Sequence, residues 1–434
     1  MARILIAGGS LGGLLAANML LRDGHQVQVL EKARGSLDGR GAGLVTHAAL
    51  LEGLTRAGVA VDASLGVTVQ SRLLLDAQGH AVGGLAMPQL LTSWSRLYNL
   101  LLGAFPADRY HQGVAVTAVE QSHDGVRVHT DSGKVFEAEL LIASDGIRSV
   151  VRGQLAPTTL PEYAGYIAWR GVCDEALLSQ HTLTTCFEHF GFALPPGEQL
   201  IGYPVAGSGN ASARGQRRYN FVWYRPADAA TTLRELMTDA DGEHYPLGIA
   251  PHKVSWRQIG AMRTAARQLL APQFAEMIEK CAQPFLQPIN DLLSQRLAFD
   301  RVALMGDAAF VARPHVGMGV TKAAEDALAL SDCIRADGAT AAALQRYEAL
   351  RLGPGQAVTQ HARQLGAYLQ AQGNSQQGHN ERPTAIRDAQ AVLQQTAAYF
   401  SGRKDDPAAG QAAVPTRPPP AANGQASSHS RRQA

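Results

Sequence analysis

The sequence predicts an α/β chain with an α+β, two-domain organisation, in which a discontinuous parallel-sheet domain carries an inserted, mixed β-sheet domain. Three observations predict this fold. Residues 1–31 read as a strand, a glycine-rich turn, a helix and a second strand. Short apolar runs at residues 140–143 and 302–305 are each followed by a turn that contains an aspartate. Between these runs, residues 160–300 contain strand-like segments with large aromatic side chains, which indicates a second sheet inserted between parts of the first.

Length and composition bound the architecture and exclude several classes of protein. The 434 residues correspond to roughly two to three domains of typical size. Hydrophobic residues make up 46% of the chain and charged residues 18%, which supports a sizeable core and excludes a disordered chain. The net charge of +2 gives no electrostatic reason to expect a nucleic-acid partner or an acidic membrane surface.

Cysteine spacing and hydropathy indicate the cellular compartment of the protein. The four cysteines are scattered, with no CxxC pair and no histidines at metal-binding spacing, so we expect neither a disulfide framework nor a structural zinc site. The N-terminal apolar run has only the length of a strand, and no apolar run reaches the roughly 18 residues of a transmembrane helix. We therefore expect a cytoplasmic protein with no metal, no nucleic-acid partner and no membrane segment.

The hydrophobic pattern assigns the elements of the first part of the chain. Residues 14–21 are rich in helix formers, and residues 26–30 alternate with period two, which predicts a helix followed by a strand. A second helix is predicted near residues 48–57. The alternating runs at 114–120 and 125–130 predict a hairpin, because a short Asp-Gly turn joins them.

The later elements follow from the same patterns. Three aromatic segments, at 166–171, 200–205 and 219–225, predict strands of the inserted sheet. Residues 320–336 predict a helix that follows the last parallel strand. Residues 415–434 are rich in proline, alanine, serine and glutamine, which predicts a disordered tail.

The glycine-rich turn at residues 8–13 has the form of a dinucleotide-binding loop. Gly8 and Gly13 occupy the outer positions of G-x-G-x-x-G, and Ser10 occupies the middle one. Such a loop permits a tight turn, close approach of a pyrophosphate to the backbone, and close packing of the helix on the strand. Glu31 ends the second strand about 20 residues later, where a carboxylate accepts ribose hydroxyls. The pattern predicts a Rossmann-like nucleotide-binding domain.

The same turn also fits the G-x-S-x-G pattern of a hydrolase nucleophile elbow. That elbow requires earlier strands to build its sheet and an upstream oxyanion loop. Only seven residues precede Gly8, so a serine hydrolase is excluded by position.

Two further acidic turns follow predicted buried strands. Asp145 precedes a glycine directly after the run at 140–143, and Gly306 and Asp307 follow the run at 302–305. A carboxylate at the carboxyl end of a strand, beside the start of a helix, can accept hydrogen bonds from ribityl or ribose hydroxyls. Each turn alone is common, but their order and spacing are typical of one family.

These motifs resemble the three FAD fingerprints of the class A flavoprotein aromatic monooxygenases, which have the p-hydroxybenzoate hydroxylase fold. The resemblance covers residues 1–370 approximately, and the chain departs from it at Trp94, where many relatives carry an arginine. Arg96 is a candidate for a related role in a shifted register. Five stretches are most similar to the 2,6-dihydroxypyridine 3-monooxygenase branch: Gly8-Gly9-Ser10, Thr92-Ser93-Trp94, Trp169-Arg170-Gly171, Trp223-Tyr224-Arg225 and Arg313-Pro314-His315.

The resemblance implies an oxidoreductase that uses FAD, with NADH or NADPH and dioxygen as co-substrates. Enzymes of this family hydroxylate an electron-rich ring. The cofactor performs the oxygen chemistry, and protein groups position and ionise the substrate. For this chain the resemblance implies a single-component monooxygenase acting on a small hydroxylated aromatic ring, an N-heteroaromatic such as a hydroxypyridine.

The resemblance also implies roles for particular residues. His47 and His315 resemble active-site positions, and an imidazole has a suitable pKa to take a proton from a ring hydroxyl. Tyr203, on a predicted strand of the inserted sheet, is a candidate to hydrogen-bond a substrate oxygen. Arg40 resembles a contact to the flavin or to the nicotinamide phosphate. The predicted cofactor-binding residues are Gly8, Ser10, Leu11, Gly13, Glu31, Lys32, Arg40, Asp145, Gly306, Asp307, Pro314, Gly317 and Gly319.

Domain boundaries follow from these assignments. The predicted units are a discontinuous Rossmann-like FAD-binding domain at 1–160 and 300–370, with part of 60–110 on the substrate side, a substrate-binding sheet domain at 161–299, a C-terminal helical extension at 371–414 and the tail at 415–434.

Two other functions stay open at this point. One is an FAD-dependent oxidoreductase of the same fold that does not oxygenate, such as a reductase. The other is a non-catalytic flavin-binding protein. A halogenase is not favoured, because its Trp-x-Trp-x-Ile-Pro pattern is absent. A homodimer is the candidate assembly, and fold alone does not determine the reaction.

Overall fold

The structure is a computed structural model that describes residues 1–37, 43–246, 248–369 and 388–402. Arg40 and the tail predicted at 415–434 lie outside the described residues. Of the predicted helical extension, the structure describes residues 388–402 only.

The strands belong to three sheets. In chain order they are β1 (Arg3–Ala7), β2 (Gln26–Glu31), β3 (Gly43–Val45), β4 (Val67–Leu75), β5 (Ala81–Ser93), β6 (Tyr110–Gln112), β7 (Val116–Gln121), β8 (Val126–Thr130), β9 (Val135–Ala138), β10 (Leu140–Ala143), β11 (Glu162–Asp174), β12 (Phe190–Ala193), β13 (Gln199–Val205), β14 (Arg218–Pro226), β15 (Phe285–Leu293), β16 (Ala298–Phe299), β17 (Val302–Leu304) and β18 (Phe310–Val311).

The helices vary widely in length. They are α1 (Leu11–Arg22), α2 (Ala48–Arg56), α3 (Trp94–Gly103), α4 (Val150–Leu155), α5 (Gln180–Thr182), α6 (Thr232–Leu236), α7 (Trp256–Leu269), α8 (Pro272–Lys280), α9 (Gly319–Asp337), α10 (Ala341–Gly366) and α11 (Ala389–Gln395). Within the described ranges, no helix combines the length and the apolar character needed to cross a membrane.

The first sheet has six strands in the order β16-β17-β10-β1-β2-β6. Strands β17, β10, β1, β2 and β6 run parallel. Strand β10 is apolar and buried along its whole length, as expected of a parallel strand covered on both faces. Helix α1 packs against α9 and α3 on this sheet. The predicted strand, turn, helix and strand at the N-terminus are confirmed.

The second sheet has nine strands in the order β18-β15-β11-β14-β13-β12-β4-β5-β3. Strands β11, β14 and β13 pair antiparallel, with Trp169 opposite Trp223. Both indoles are buried against a cluster that includes side chains of α7 and α8. Strand β4 joins the sheet parallel to β12, although a long stretch of chain separates them. The predicted mixed sheet beside a Rossmann-like domain is therefore confirmed, and β7-β8-β9 form a small third sheet.

Sheet membership differs from the predicted division at two places. Strand β3 lies in the nine-stranded sheet, although the prediction assigned its residues to the FAD-binding domain; β4 and β5 in the same sheet fall within the stretch 60–110, part of which was assigned to the substrate side. Strand β16 pairs with β17 in the parallel sheet, although the predicted boundary falls between them. The tight β16–β17 turn keeps the two strands together, and a boundary cannot separate paired strands.

Helix α10 was not predicted, because its centre contains three residues that usually end helices. Gly353, Pro354 and Gly355 lie inside this 26-residue helix. Gly355 is buried, and a Cβ atom at this position would lie 2.3 Å from the ring of Phe310. Gly355 therefore lets α10 approach the loop that follows β17.

Replacing Gly355 with alanine is expected to lower the free energy of unfolding by about 1–3 kcal/mol, because the buried Phe310 ring has no room to move. Thermal and denaturant unfolding measure the change. The matched control is Gly353→Ala in the same helix, where an added Cβ meets no atom within 4 Å. This control should leave stability unchanged or raise it by up to about 1 kcal/mol. Equal destabilisation by both substitutions would contradict the packing argument.

Candidate active site

Two cavities meet at the carboxyl ends of the parallel strands. The first, of about 330 Å³, is lined by residues that follow β1, β2 and β10. The second, of about 350 Å³, lies between the loop that follows β17 and the nine-stranded sheet. Ser10, Trp94, Ser144 and Gly146 line both cavities, so a long ligand can extend from one into the other. The carboxyl edge of a parallel sheet is the usual position for a ligand site in α/β folds.

The glycine loop between β1 and α1 packs closely against the backbone after β10 and against itself. Gly8 has a φ of +100°, and a Cβ atom there would lie 2.3 Å from the Ser144 carbonyl oxygen. A Cβ atom at Gly13 would lie 1.9 Å from the Gly8 carbonyl oxygen. Ser10 is the N-cap of α1, but its side chain makes no capping hydrogen bond and faces both cavities. The N–H groups that begin α1 at Leu11 are therefore placed to bind an anionic group.

The carboxylate of Glu31 holds this loop to the end of β2. Its Oε2 accepts a hydrogen bond from the Gly9 N–H at 2.8 Å, and its Oε1 accepts one from the Ala33 N–H at 2.8 Å. Glu31 also lines the first cavity, next to the exposed Lys32. A carboxylate has four lone-pair positions, so Glu31 can brace the loop and still accept hydrogen bonds from ligand hydroxyls.

Asp145 lines the first cavity, and one of its carboxylate oxygens has no donor among the described residues. Its Oδ2 accepts a hydrogen bond from the Val150 N–H at 2.9 Å, at the start of α4. Its Oδ1 is buried, and none of the described residues donates to it. Burial raises the pKa of this carboxyl, and a hydrogen bond from Ser149 acts in the opposite direction. A buried carboxylate oxygen without a donor indicates a ligand that supplies one, which fits a cofactor rich in hydroxyl groups.

A buried ionic cluster fixes the backbone before Asp307. The Gly306 N–H donates to Asp326 Oδ2 at 3.0 Å, and Lys322 Nζ donates to the Gly306 carbonyl at 2.8 Å. Arg351 Nε donates to the other oxygen of Asp326 at 2.8 Å. Lys322 and Asp326 are completely buried on α9. The cluster therefore determines where the Asp307 carboxylate is presented.

Asp307 opens onto the second cavity, as do Pro314, Gly317 and Gly319. Its side chain is accessible from the cavity, yet protein surrounds it closely enough that desolvation raises the pKa of its carboxyl. The Lys322 ammonium acts in the opposite direction. Together with Glu31, Asp145 and the glycine loop, these residues fit an FAD that extends through both cavities.

Tyr203 and Tyr224 present their side chains from neighbouring strands to the second cavity. Burial raises the pKa of Tyr203 to about 12, so its hydroxyl stays protonated at neutral pH. The hydroxyl of Tyr224 is buried, and no described group hydrogen-bonds to it. Both phenols are therefore available as hydrogen-bond donors to a ring held in this cavity.

Arg170 is the one cationic side chain among the described residues that line the second cavity. Its Nη1 donates to Gln287 Oε1 at 2.8 Å, whereas its buried Nε has no acceptor within the described part of the chain. Asn290 lines the same wall. This wall combines a cation with two amides, a combination that can bind a polar edge of a planar ring.

The structure places His47 in the protein interior. Its Nδ1 lies 2.9 Å from Thr321 Oγ1, and its ring contacts that of Tyr399. Burial lowers the pKa of His47 to about 4, against an interaction with the backbone of Ala397. His47 does not line either cavity described above. The geometry therefore disfavours its predicted role as base, because a neutral imidazole with so low a pKa takes up a proton poorly.

His315 is also completely buried. Its Nε2 lies 2.9 Å from the Tyr166 hydroxyl, and its Nδ1 lies 3.1 Å from Gln199 Oε1. Its ring packs 4.1 Å from that of Tyr224, measured between centroids. The residue does not line the cavities, so it contacts the wall residue Tyr224 rather than the cavity space. The structure therefore places His315 as a support for the cavity wall, instead of the predicted base or substrate contact.

Several residues that line the second cavity were not predicted as site residues, among them Arg170, Tyr224 and Trp94. Arg170 and Tyr224 lie in stretches that resemble the hydroxypyridine branch, but nothing in the sequence indicated which of their neighbours faces the cavity. Trp94 lines both cavities and stacks on Tyr98, with ring centroids 4.9 Å apart. Arg96 instead donates to Ser64 Oγ at 3.0 Å and does not line either cavity.

Comparison with known proteins identifies similar chains. A family model described as FAD binding domain-like matches residues 163–291. The 2,6-dihydroxypyridine 3-monooxygenase of Paenarthrobacter nicotinovorans is 31% identical over 378 residues, which cover 87% of this chain and 94% of that protein. The aurachin C monooxygenase/isomerase of Stigmatella aurantiaca is 27% identical, over 80% of this chain and 85% of that protein.

Solved structures agree with these sequence relationships. The 2,6-dihydroxypyridine-3-hydroxylase from Arthrobacter nicotinovorans superposes with a TM-score of 0.80 at 31% identity, over 87% of this chain and 95% of that chain. A variant of Klebsiella pneumoniae HpxO complexed with FAD superposes with a TM-score of 0.67 at 25% identity, over 84% of this chain and 89% of that chain.

The substitution Asp307→Ala should weaken FAD binding by about 10- to 100-fold, because a charged acceptor at the cavity surface is lost. Titration of the apoprotein with FAD, followed by flavin fluorescence, measures the dissociation constant. The control is Asp124→Ala, which removes an exposed carboxylate from the β7–β8 turn. Unchanged FAD affinity in Asp307→Ala would remove this residue from the cofactor site.

His47 should make stability depend on pH in one window. The unfolded chain takes up a proton near pH 6.5, whereas the folded state keeps His47 neutral to about pH 4. The unfolded state binds more protons between these values, so stability falls by roughly 3 kcal/mol as the pH is lowered through the window. His47→Gln should flatten this part of the stability profile, measured by denaturant unfolding.

The control is the exposed His123→Gln, which should keep the wild-type slope. An identical slope in His47→Gln would show that the ring is not held neutral. A folded His47→Gln protein that binds FAD but has lost nearly all turnover would instead support the predicted role as base.

Proposed function

The chain belongs to the class A FAD-dependent aromatic monooxygenases, and on this premise we propose that its substrate is a hydroxylated N-heteroaromatic ring, such as a hydroxypyridine. The enzyme is FAD-dependent, and NAD(P)H is the typical reductant of its family. The observation that carries the proposed substrate class is the Arg170–Gln287 pair on the wall of the second cavity.

The cofactor is held by this chain's own backbone and carboxylates. When bound, FAD supplies the activation of dioxygen and the transfer of one oxygen atom, with NAD(P)H as the source of electrons. The proposed contacts are the glycine loop at the pyrophosphate, Glu31 and Asp145 at hydroxyl groups, and Asp307 at the second cavity. The loop that carries Pro314, Gly317 and Gly319 faces the same space.

Arg170 suits a ring oxygen that carries negative charge. Its Nε has no acceptor among the described residues, and its guanidinium is cationic, so Arg170 favours an ionised hydroxyl over a neutral one. An ionised hydroxyl pushes electron density into the ring, which favours attack by an electrophilic oxygen. Gln287 and Asn290 add donor and acceptor groups on the same wall, and these complement a ring in which a nitrogen lies beside a carbonyl or hydroxyl. A ring that is only a hydrocarbon with one hydroxyl leaves these amides unmatched.

The two phenols complete the polar contacts. Tyr203 and Tyr224 stay protonated, since burial raises the pKa of each, so each donates a hydrogen bond rather than accepting a proton. The rest of the wall includes Ile201, Val222 and Ile289, which exclude water from the bound ring. His315 positions Tyr224 through ring contact, with the ring centroids 4.1 Å apart.

The cellular compartment of the enzyme follows from its co-substrate. NAD(P)H is an intracellular reductant, and the four cysteines are buried and free, so we place the enzyme in the cytoplasm. A homodimer and the lack of a nucleic-acid partner stay predictions.

The substrate class is tested with FAD-loaded protein and a panel of hydroxypyridines, other hydroxylated N-heterocycles and hydroxybenzoates. We expect ring-stimulated oxidation of NADH or NADPH and a product heavier by one oxygen atom, labelled when ¹⁸O₂ is supplied. The N-heterocycles should have the highest kcat/KM. Hydroxylation of benzoates with no activity on any N-heterocycle would contradict the substrate proposal and leave the family membership intact.

Arg170→Met should raise KM for the ring by about 10-fold or more, because the contact to the ionised oxygen is lost, and should shift the pH profile of kcat/KM to higher pH. The matched control is Arg218→Met, which removes a half-buried arginine on β14 that pairs with Asp174 and lines neither cavity. An Arg170→Met enzyme with the wild-type KM and pH profile would remove Arg170 from the substrate site.

A further inference from the structure

Residues 388–402, here called the C-terminal segment, reach the second cavity from the far end of the chain. Asp388 caps helix α11 by accepting hydrogen bonds from the Gln390 and Ala391 N–H groups. After the helix, the chain runs between the nine-stranded sheet and the loop that follows β17. Ala397 lines the second cavity there, beside Gly317. The cavity wall thus includes a residue that lies far from every motif of the family.

A buried arginine anchors this segment to the sheet. Arg72 on β4 is 1% exposed, and within the described residues it forms no ion pair with a carboxylate. Its Nη1 donates to the Leu393 and Thr396 carbonyls, both at 2.6 Å, and its Nη2 donates to the Ala397 carbonyl at 3.3 Å. Gln89 completes the set, accepting from Nη2 at 2.7 Å.

A buried guanidinium without an acid partner is costly unless its N–H groups are satisfied. Burial lowers the pKa of Arg72 to about 9, because desolvation disfavours the charged guanidinium. Three of its acceptors are carbonyl groups of the C-terminal segment, so release of the segment would leave this buried cation with Gln89 as its remaining hydrogen-bond acceptor. Arg72 therefore favours the docked position of the segment strongly.

The other side of the segment is tied to the loop that faces the flavin position. The Ala397 N–H donates to the His315 carbonyl at 2.7 Å. The Phe400 N–H donates to Met318 Sδ at 3.2 Å, and the Tyr399 hydroxyl donates to Glu325 Oε1 at 2.9 Å. The segment therefore connects β4 of the nine-stranded sheet with the loop between β18 and α9 and with α9 itself.

The backbone of Ala397 is held in an unusual conformation. Its φ is +53°, in the left-handed region that side chains other than those of glycine, asparagine and aspartate rarely adopt. A Cβ atom on Gly317 would lie 2.9 Å from both the Cα and the Cβ of Ala397, so the two residues already touch. Such a conformation persists only where the surroundings determine it on several sides, and it recurs at ligand sites.

We propose that Ala397 is a specificity-determining residue of the ring cavity, and that Arg72 is the positioning residue that holds it there. The methyl group of Ala397 limits the size of the ring that fits between the loop and the sheet. This inference rests on the proposed function only in that a planar ring occupies the second cavity.

The test uses two substitutions that both tolerate a left-handed backbone, so that backbone strain does not confuse the result. Ala397→Gly removes the methyl group, and Ala397→Asn adds bulk. The readout is the ratio of kcat/KM for a methylated ring to that for the unsubstituted ring. We expect the ratio to rise by about 10-fold in Ala397→Gly and to fall in Ala397→Asn, because one methyl group in a close-fitting pocket has an effect of this size. Ratios unchanged in both variants, at full FAD content, would overturn the proposal.

Ring binding to the oxidised enzyme, followed by perturbation of the flavin absorbance, gives the same ratio without turnover. If the wild-type enzyme hydroxylates no N-heterocycle but binds or hydroxylates another ring, the proposed function fails while the Ala397 ratio is still measured on that ring. The two failures are thereby separate.

Arg72→Met tests the anchor. The methionine side chain is nonpolar and similar in length, so the substitution removes the hydrogen-bond donors to the segment. We expect faster hydrogen exchange in peptides covering residues 388–402 and 313–320. We also expect a higher KM for the ring and an unchanged FAD affinity. The control is Arg127→Met, which removes an exposed arginine from β8. Wild-type exchange rates in Arg72→Met would overturn the role of Arg72. If Arg72→Met is too unstable to purify, the Ala397→Gly and Ala397→Asn variants test the proposal.

Discussion

The carboxylate of Asp326 holds together the parts on which the site depends. It is completely buried, and it accepts hydrogen bonds from the backbone after β17 and from Arg351 on α10. Lys322 lies 3.6 Å away on the same helix. Removing one partner from such a buried cluster leaves an uncompensated charge, which costs about 3–5 kcal/mol. The side chain of Asp326 thus links α9, α10 and the turn that presents Asp307. The shape of the second cavity at this turn therefore depends on one carboxylate.

Much of the parallel sheet could be predicted, because its signals are local. The glycine loop, the run 140–143 and the acidic turns each lie within a few residues of sequence, and each recurs in the structure as a strand end that lines a cavity. Helix α10 could not be predicted in the same way. Pro354 and its flanking glycines indicate a break, and only the contact of Gly355 with Phe310 explains why a helix passes through them. The parallel pairing of β4 with β12 likewise depends on contacts distant in sequence.

The two cavities differ in how far the sequence predicts them. Backbone turns and carboxylates of the first cavity follow directly from motif positions, and Glu31 and Asp145, which those motifs predict as cofactor-binding residues, line it. The second cavity collects side chains from β11, β13, β14, β15 and the C-terminal segment, and its walls depend on how the two sheets pack. The buried hydrogen bonds of His47 and His315 do not favour the proton transfer that their sequence positions suggest. Arg170 lies in a stretch that resembles the hydroxypyridine branch, whereas the sequence around Ala397 matches no motif.

The position of Ala397 in the chain also orders the assembly of the molecule during translation. Every other described residue of the ring cavity is synthesised by residue 323, and both sheets are complete by residue 311. A nascent chain can therefore build the nucleotide cradle while the ring cavity still lacks one side. Proteins emerge from the ribosome with the N-terminal part folding first, so the final wall arrives only after the rest of the pocket exists. A chain interrupted before residue 388 would lack the three carbonyl groups that accept hydrogen bonds from Arg72, so the side chain of this arginine reaches its full set of partners only at the end of synthesis.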